Sequence, residues 1–150
     1  MNILVLNAGS SSLKYQLIAM PSQEVKCVGL VERIGMEDAI FTHEKETQKH
    51  TETSPILDHT EALKKVEAAL MHSDYGVLSH VDDIDAVGHR VVHGGSRFTK
   101  TVLVTEDVKE NIRELFALAP LHNPANLTGI EVAENVFKNA KLTILKTFLL

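Results

Sequence analysis

Ile3-Leu4-Val5-Leu6-Asn7-Ala8-Gly9-Ser10-Ser11-Ser12-Leu13-Lys14-Tyr15-Gln16-Leu17-Ile18 is the stretch from which the fold can be read. Residues 3–6 form an unbroken apolar run of strand length and residues 13–18 supply a second, so the polar octet between them falls where a hairpin reverses. The octet gathers one glycine, three hydroxyls and a lysine. A phosphate oxygen needs closely spaced donors; Gly9 lets backbone N–H groups converge, and the serine hydroxyls and the Lys14 ammonium add to them. The second glycine and the Lys-Ser or Lys-Thr pair of a Walker A loop are missing. Asn, Gly and Ser are also common turn residues, and on residue type alone a phosphate cradle and an ordinary hairpin turn stand about even.

Working outward, residues 25–34 and 39–41 read as further antiparallel strands separated by Gly35, and residues 44–53 as a solvated loop or exposed hairpin end. Asp58 followed by Glu61 resembles a capping pair, and Leu63, Val66 and Leu70 with Ala62 and Ala69 give a helical stripe over about residues 59–73. Asp82, Asp83 and Asp85 lack the glycine and terminal glutamate of an EF-hand and read as a solvated turn. Thr105 caps a second helix with Val108, Ile112, Leu115 and Phe116 on one face, ending near Pro120. A third starts with Asn123 as N-cap and Pro124 at the first helical position. Residues 141–145 return to strand. Strands first and helix–strand alternation later predict an α/β fold: a mixed sheet with flanking helices.

The 150 residues suffice for one domain with a modest core, and 44% hydrophobic with 23% charged residues is ordinary globular composition. The formal charge of −5 and the lack of a Lys/Arg block argue against nucleic-acid partners and a polybasic membrane patch. The single Cys27 and the absence of a secretory leader pattern lead us to expect a cytoplasmic protein. The apolar tail 142–150, interrupted by Lys146, is shorter than the roughly 20 residues that span a bilayer; it reads as a strand.

Two other clusters carry chemistry. Gly88-His89-Arg90-Val91-Val92-His93-Gly94-Gly95 sets an arginine in an apolar strand that ends in a double glycine. The planar guanidinium fork suits a carboxylate or phosphate, and a structural ion pair suits it equally. His89 and His93 are no zinc pair, since four residues of strand span about 13 Å; both read as structural or as supporting a site from behind. His43, His50, His59, His72 and His80 read as surface or packing residues without a visible partner. In Ala119-Pro120-Leu121-His122-Asn123-Pro124, two prolines stiffen the approach to a helix start, where an anion drawn to the free N–H groups would meet His122. A loop histidine exposed to solvent is the plainer reading of that segment alone.

The first octet resembles the first phosphate motif of the acetate kinases, within the sugar kinase, actin and Hsp70 superfamily. His-Arg-Val-Val-His-Gly-Gly is similar to the segment whose arginine contacts the substrate carboxylate in that family, and Leu-Ala-Pro-Leu-His-Asn-Pro-Ala-Asn to the stretch whose histidine stabilises the phosphoryl group in transfer. The motifs occur in family order over residues 1 to about 140. The resemblance implies an incomplete actin-like (ribonuclease H-like) nucleotide-binding domain and transfer of the ATP γ-phosphoryl to acetate with Mg2+, giving acetyl phosphate and ADP. It implies Asn7 on the metal side of the phosphates, Ser10, Ser12 and Lys14 on phosphate and ATP, Arg90 on acetate with Val92 a candidate apolar wall, and His122 on the transferring group. It also implies a homodimer. A relative acting on propionate or butyrate stays an alternative; butyrate kinases usually carry proline and threonine where Ala8 and Ser11 stand, so acetate is preferred.

The end departs from the family. Where Phe-Asp-Thr-x-Phe-His should follow the strand near residue 145, the chain reads Leu145-Lys146-Thr147-Phe148-Leu149-Leu150, and no Asp or Glu follows Glu134. The catalytic aspartate of the family has no counterpart, and its C-terminal domain is missing from the 150 residues. The expectation is an N-terminal part, truncated or frame-disrupted, with little turnover alone. A non-catalytic phosphate-binding or nucleotide-binding module and a dimerising remnant are the other readings.

Overall fold

The computed structural model describes residues 1–92 and 100–145, so His93, Gly94, Gly95 and the tail from Lys146 onward lie outside the described residues. Five strands come first: β1 (Asn2–Ala8), β2 (Ser12–Ala19), β3 (Glu24–Glu32), β4 (Met36–Lys45) and β5 (Gln48–Ile56). Helix α1 (His59–Leu70), β6 (Ala86–Arg90), β7 (Val102–Leu103), α2 (Glu106–Glu114), α3 (Asn123–Val136) and β8 (Lys141–Leu145) follow. All eight strands join one sheet in the order β5-β4-β3-β2-β1-β6-β8-β7. The first five form an antiparallel meander, β1, β6 and β8 run parallel, and β7 returns antiparallel at the edge. The expected mixed α/β sheet with flanking helices is therefore present.

The alternation of the strands decides which face is covered. Leu4, Leu6 and Ala8 of β1, Leu13, Tyr15 and Leu17 of β2, and Phe41 of β4 are buried in one cluster with Leu63 and Val66 of α1 and Ala133 of α3. A smaller cluster joins Val91, Ile112, Leu127, Ile130 and Ile144 between α2, α3 and β8. Removing an aliphatic side chain of this size from water contributes about 1.5–3 kcal/mol. In β1 and β2, Asn7 and Lys14 occupy the alternate positions and so turn to the opposite, open face.

Residues 44–53 are mostly strand, not loop: β4 runs on to Lys45, and β5 starts at Gln48 after a tight turn with Glu46 at φ 53°. The hairpin end was legible; the polar edge strand was not, because β5 buries only Ile56 and needs no apolar alternation. Helix α2 stops at Glu114 and a 3-10 turn, Phe116–Leu118, completes the path toward Pro120. Helix α3 has His122, not Asn123, at its N-cap; Asn123 is the first helical residue and is buried. The capping contacts at Asp58 and Thr105 are present, each side chain accepting from the N–H three residues on.

Four of the histidines that read as surface or packing residues have partners the sequence does not show. His43 is fully buried and its Nε2–H donates to the Tyr75 carbonyl at 3.1 Å, which leaves Nδ1 to accept from the Tyr15 hydroxyl at 2.6 Å. His50 and His72 sandwich the Tyr75 ring at 4.4 and 3.8 Å between centroids. His59 reaches the turn after β1, described below. The three aspartates bear out a turn reading: a 3-10 turn spans Val81–Asp83, Asp83 accepts from the Ser79 and His80 N–H groups, and Asp85 accepts from Asn2 N–H.

Candidate functional site

The turn between β1 and β2 is closed by Gly9 N–H donating to the Ser12 carbonyl at 2.9 Å. Ser10 is exposed and Ser12 half-buried. The antiparallel register pairs Asn7 with Lys14 and Ala8 with Leu13, so the Asn7 and Lys14 side chains stand side by side on the open face. On the other flank of β1 the parallel register pairs Val5 with Gly88 and Leu6 with His89. Continued by one residue, that register sets Arg90 beside Asn7, on the same face. Lys14, Asn7 and Arg90 thus form a row across three adjacent strands, about 10 Å from end to end at a strand spacing of about 4.8 Å.

Arg90 is half-buried, and among the described residues its buried Nε has no hydrogen-bond partner. An orphaned guanidinium nitrogen beneath an open face suits an acidic ligand better than the structural ion pair also considered for this residue. A shallow cleft of about 280 Å³ opens beside Lys14, bordered by Gly29, Thr42 and Lys49; neither Arg90 nor His122 lines it.

The neighbour of Arg90 behaves differently. His89 is fully buried, its Nδ1–H donates to the Arg90 carbonyl at 2.7 Å, and among the described residues its buried Nε2 has no hydrogen-bond partner. Burial pushes the imidazole down to about 4, partly offset by that hydrogen bond. It sits on the covered face against Gly129 of α3.

His122 is exposed at the N-cap of α3, and its carbonyl accepts from the Asn126 N–H. Asn126 lies about one helical turn further on and is buried; its Nδ2 donates to the Ala8 carbonyl at 2.7 Å and its Oδ1 accepts from Val92 N–H at 2.9 Å. The fold therefore brings the start of α3, the turn after β1 and the end of β6 to one end of the sheet. The three sequence motifs converge there, with His122 at the helix start and the Lys14–Asn7–Arg90 row on the open face.

Sequence reasoning passed over three residues at this site. Asn126 was visible as a polar residue inside an apolar helical stripe. His59 was visible only as a histidine at a helix start. Leu145 lies on the open face over Gly88, where an added Cβ would come within 2.6 Å of its side chain. Leu145 pairs with Arg90 in register, so it is an apolar neighbour of the arginine. The glycine inside the β6 run was the available signal.

Comparison with known proteins decides the family. Residues 2–148 match the Acetokinase family. The chain belongs to that family. It is similar to acetate kinase from Symbiobacterium thermophilum, at 55% identity over 140 residues covering 93% of this chain and 35% of that protein. Acetate kinase from Flavobacterium johnsoniae is 50% identical over 141 residues, covering 94% and 36%. Among solved structures, Porphyromonas gingivalis acetate kinase superposes with a TM-score of 0.93 at 36% identity, covering 97% of this chain and 37% of the other. A propionate kinase from Francisella tularensis superposes with a TM-score of 0.88 at 34% identity, covering 97% and 36%. This member of the acetokinase family thus spans about 35% of the length of the relatives it matches.

Proposed function

We propose that the protein takes part in acetate kinase chemistry, the transfer of the ATP γ-phosphoryl to acetate with release of acetyl phosphate and ADP. The row of Lys14, Asn7 and Arg90 on one open face, at the end of the sheet where α3 begins, carries this reading. Ser10, Ser12 and Lys14 hold the nucleotide phosphates, Arg90 holds the acceptor carboxylate, and His122 donates to the transferring group. Phosphoryl transfer depends mainly on alignment and on neutralising the equatorial oxygens, which suits a site made of donors and cations with no strong nucleophile. Acetate brings its own nucleophilic oxygen. Ala8 and Ser11 favour acetate over butyrate.

Among the described residues no group of three or more His, Cys, Asp or Glu could hold a metal ion. Magnesium suits this site only as an ion carried largely by phosphate oxygens and water, with the Asn7 amide oxygen as protein ligand. When bound it neutralises phosphate charge. The role of the 150 residues is the nucleotide-binding and acceptor-binding portion of the reaction. Unaided turnover by these 150 residues is expected to be very low, because they span only about 35% of the length of the relatives they match.

Trapping acetyl phosphate as its hydroxamate tests this reading. The chain alone, given ATP, magnesium and acetate, is expected to yield almost no product while still binding Mg-ADP saturably. Robust ATP-dependent product from the chain alone would contradict the inactivity, and absence of any Mg-ADP binding would contradict the reading as a whole.

A further inference from the structure

Four carbonyls of the turn after β1 are already engaged by donors of the chain. Ala8 O accepts from Asn126 Nδ2 at 2.7 Å, and Gly9 O accepts from His59 Nε2 at 2.7 Å. Ser11 O accepts from Ile34 N–H, and Ser12 O from Gly9 N–H, both at 2.9 Å. Two of these donors are side chains, one from α3 and one from the first residue of α1, and both helices lie on the covered face of the sheet.

A trans peptide holds its C=O and the following N–H antiparallel. With the Gly9 carbonyl drawn toward His59, the Ser10 N–H points away from the helix layer, toward the face that bears Asn7 and Lys14. With the Ala8 carbonyl drawn toward Asn126, the Gly9 N–H is directed to its bond with Ser12 and the turn is locked. A carbonyl turned outward would repel a phosphate, whereas a turned-in carbonyl exposes an amide donor.

We propose that His59 and Asn126 are positioning residues for phosphate: they fix the Ala8 and Gly9 peptide planes so that the Ser10 amide is presented to the anion before it arrives. Neither side chain need touch the ligand. Asn126 also accepts from Val92 N–H, so the same amide ties the phosphate turn to the segment just after Arg90. Pre-set donors spare the ligand the cost of ordering them on binding. The inference rests on the phosphate-binding reading above.

Calorimetric titration of the 150-residue chain with Mg-ADP, with the Ser10 amide followed in nitrogen–proton spectra, tests it. Saturable binding by the unaltered chain comes first; its absence would sink the phosphate-binding reading and this inference with it. Given that binding, His59→Ala is expected to weaken affinity about tenfold, the scale of one lost orienting hydrogen bond, and to shift the Ser10 amide in the free chain. His59→Gln can donate to the same carbonyl and is expected to recover most of the affinity. Unchanged affinity in a folded His59→Ala chain, or an equal loss in both variants, overturns the inference and leaves the phosphate-binding reading standing. Asn126→Ala is expected to weaken binding at least as much; should it fail to fold, the half-buried His59 pair decides.

Discussion

Tyr15 donates its hydroxyl to His43 Nδ1 at 2.6 Å in the core, joining β2 to β4. His43 in turn donates to the Tyr75 carbonyl, so the pair also holds the segment after α1. Gly29 makes room for the tyrosine, since an added Cβ there would lie 2.1 Å from the ring. Tyr15→Phe leaves the buried His43 Nδ1 without its donor and is expected to cost about 1–3 kcal/mol. Urea unfolding measures it; an unchanged midpoint would show that the bond contributes nothing.

The same burial gives the chain a pH dependence. Desolvation lowers His43 below the ordinary imidazole range and takes His89 down to about 4. An unfolded histidine titrates near about 6.5, so between that pH and about 4 the unfolded chain binds more protons than the folded one. Stability therefore falls as the pH drops through this window, and the full contribution is present above it. Asp38 and Glu52 are held below the usual carboxylate range, chiefly by hydrogen bonds from Arg33 and Lys65, so their contribution is lost only at more acid pH. Urea midpoints at pH 7.5 and 5 are expected to differ, and His43→Gln is expected to narrow the difference. Equal slopes in both chains would remove His43 from the account.

Gly129→Ala sets two effects against each other. Alanine in a helix interior ordinarily stabilises by about 1 kcal/mol over glycine. Here the added Cβ would lie 2.4 Å from His89 Nε2 and 2.5 Å from Ala8 Cβ. Forcing α3 off the β1–β6 surface costs about 1–3 kcal/mol, so the net change is expected to be destabilising. Mg-ADP affinity should fall with it, because the Asn126 contact moves too. A more stable variant in chemical denaturation would show that α3 docks less tightly than described.

Arg90 is expected to separate stability from function. Among the described residues its buried Nε has no partner, so Arg90→Met removes an unmet polar group and should leave the melting temperature equal or higher. Any acetate-dependent or acetyl phosphate-dependent binding should be lost in the same variant. A clear drop in melting temperature would make the arginine structural.

Exposed Lys14 gives a cleaner case. Lys14→Ala is expected to change stability by less than about 0.5 kcal/mol while weakening Mg-ADP binding about tenfold, as loss of a charged phosphate contact would. Undiminished affinity would take Lys14 out of the site.

Much of this was legible in the residues because it followed from local pattern. The apolar runs around Asn7 and Lys14 specify two strands and a reversal, and the Asp58 and Thr105 caps mark helix starts. Strand β5 was hidden because an edge strand open to solvent need not alternate. The partners of His43 and His59 were hidden because they sit 28 and 50 residues away, and nothing local announces such a contact. Asn126 shows the same limit most clearly: its bond to Ala8 spans 118 residues. The three motifs were readable as motifs, but their convergence depends on the crossover that places β6 beside β1.

Relaxation enhancement by Mn-ADP bound to the 150-residue chain tests that convergence most directly, because the paramagnetic ion broadens every amide near the phosphates. The Ser10, Arg90 and His122 amides should broaden together, at the lowest additions and ahead of the β4–β5 edge. Broadening that reaches Ser10 but spares Arg90 and His122 would contradict a single shared anion site.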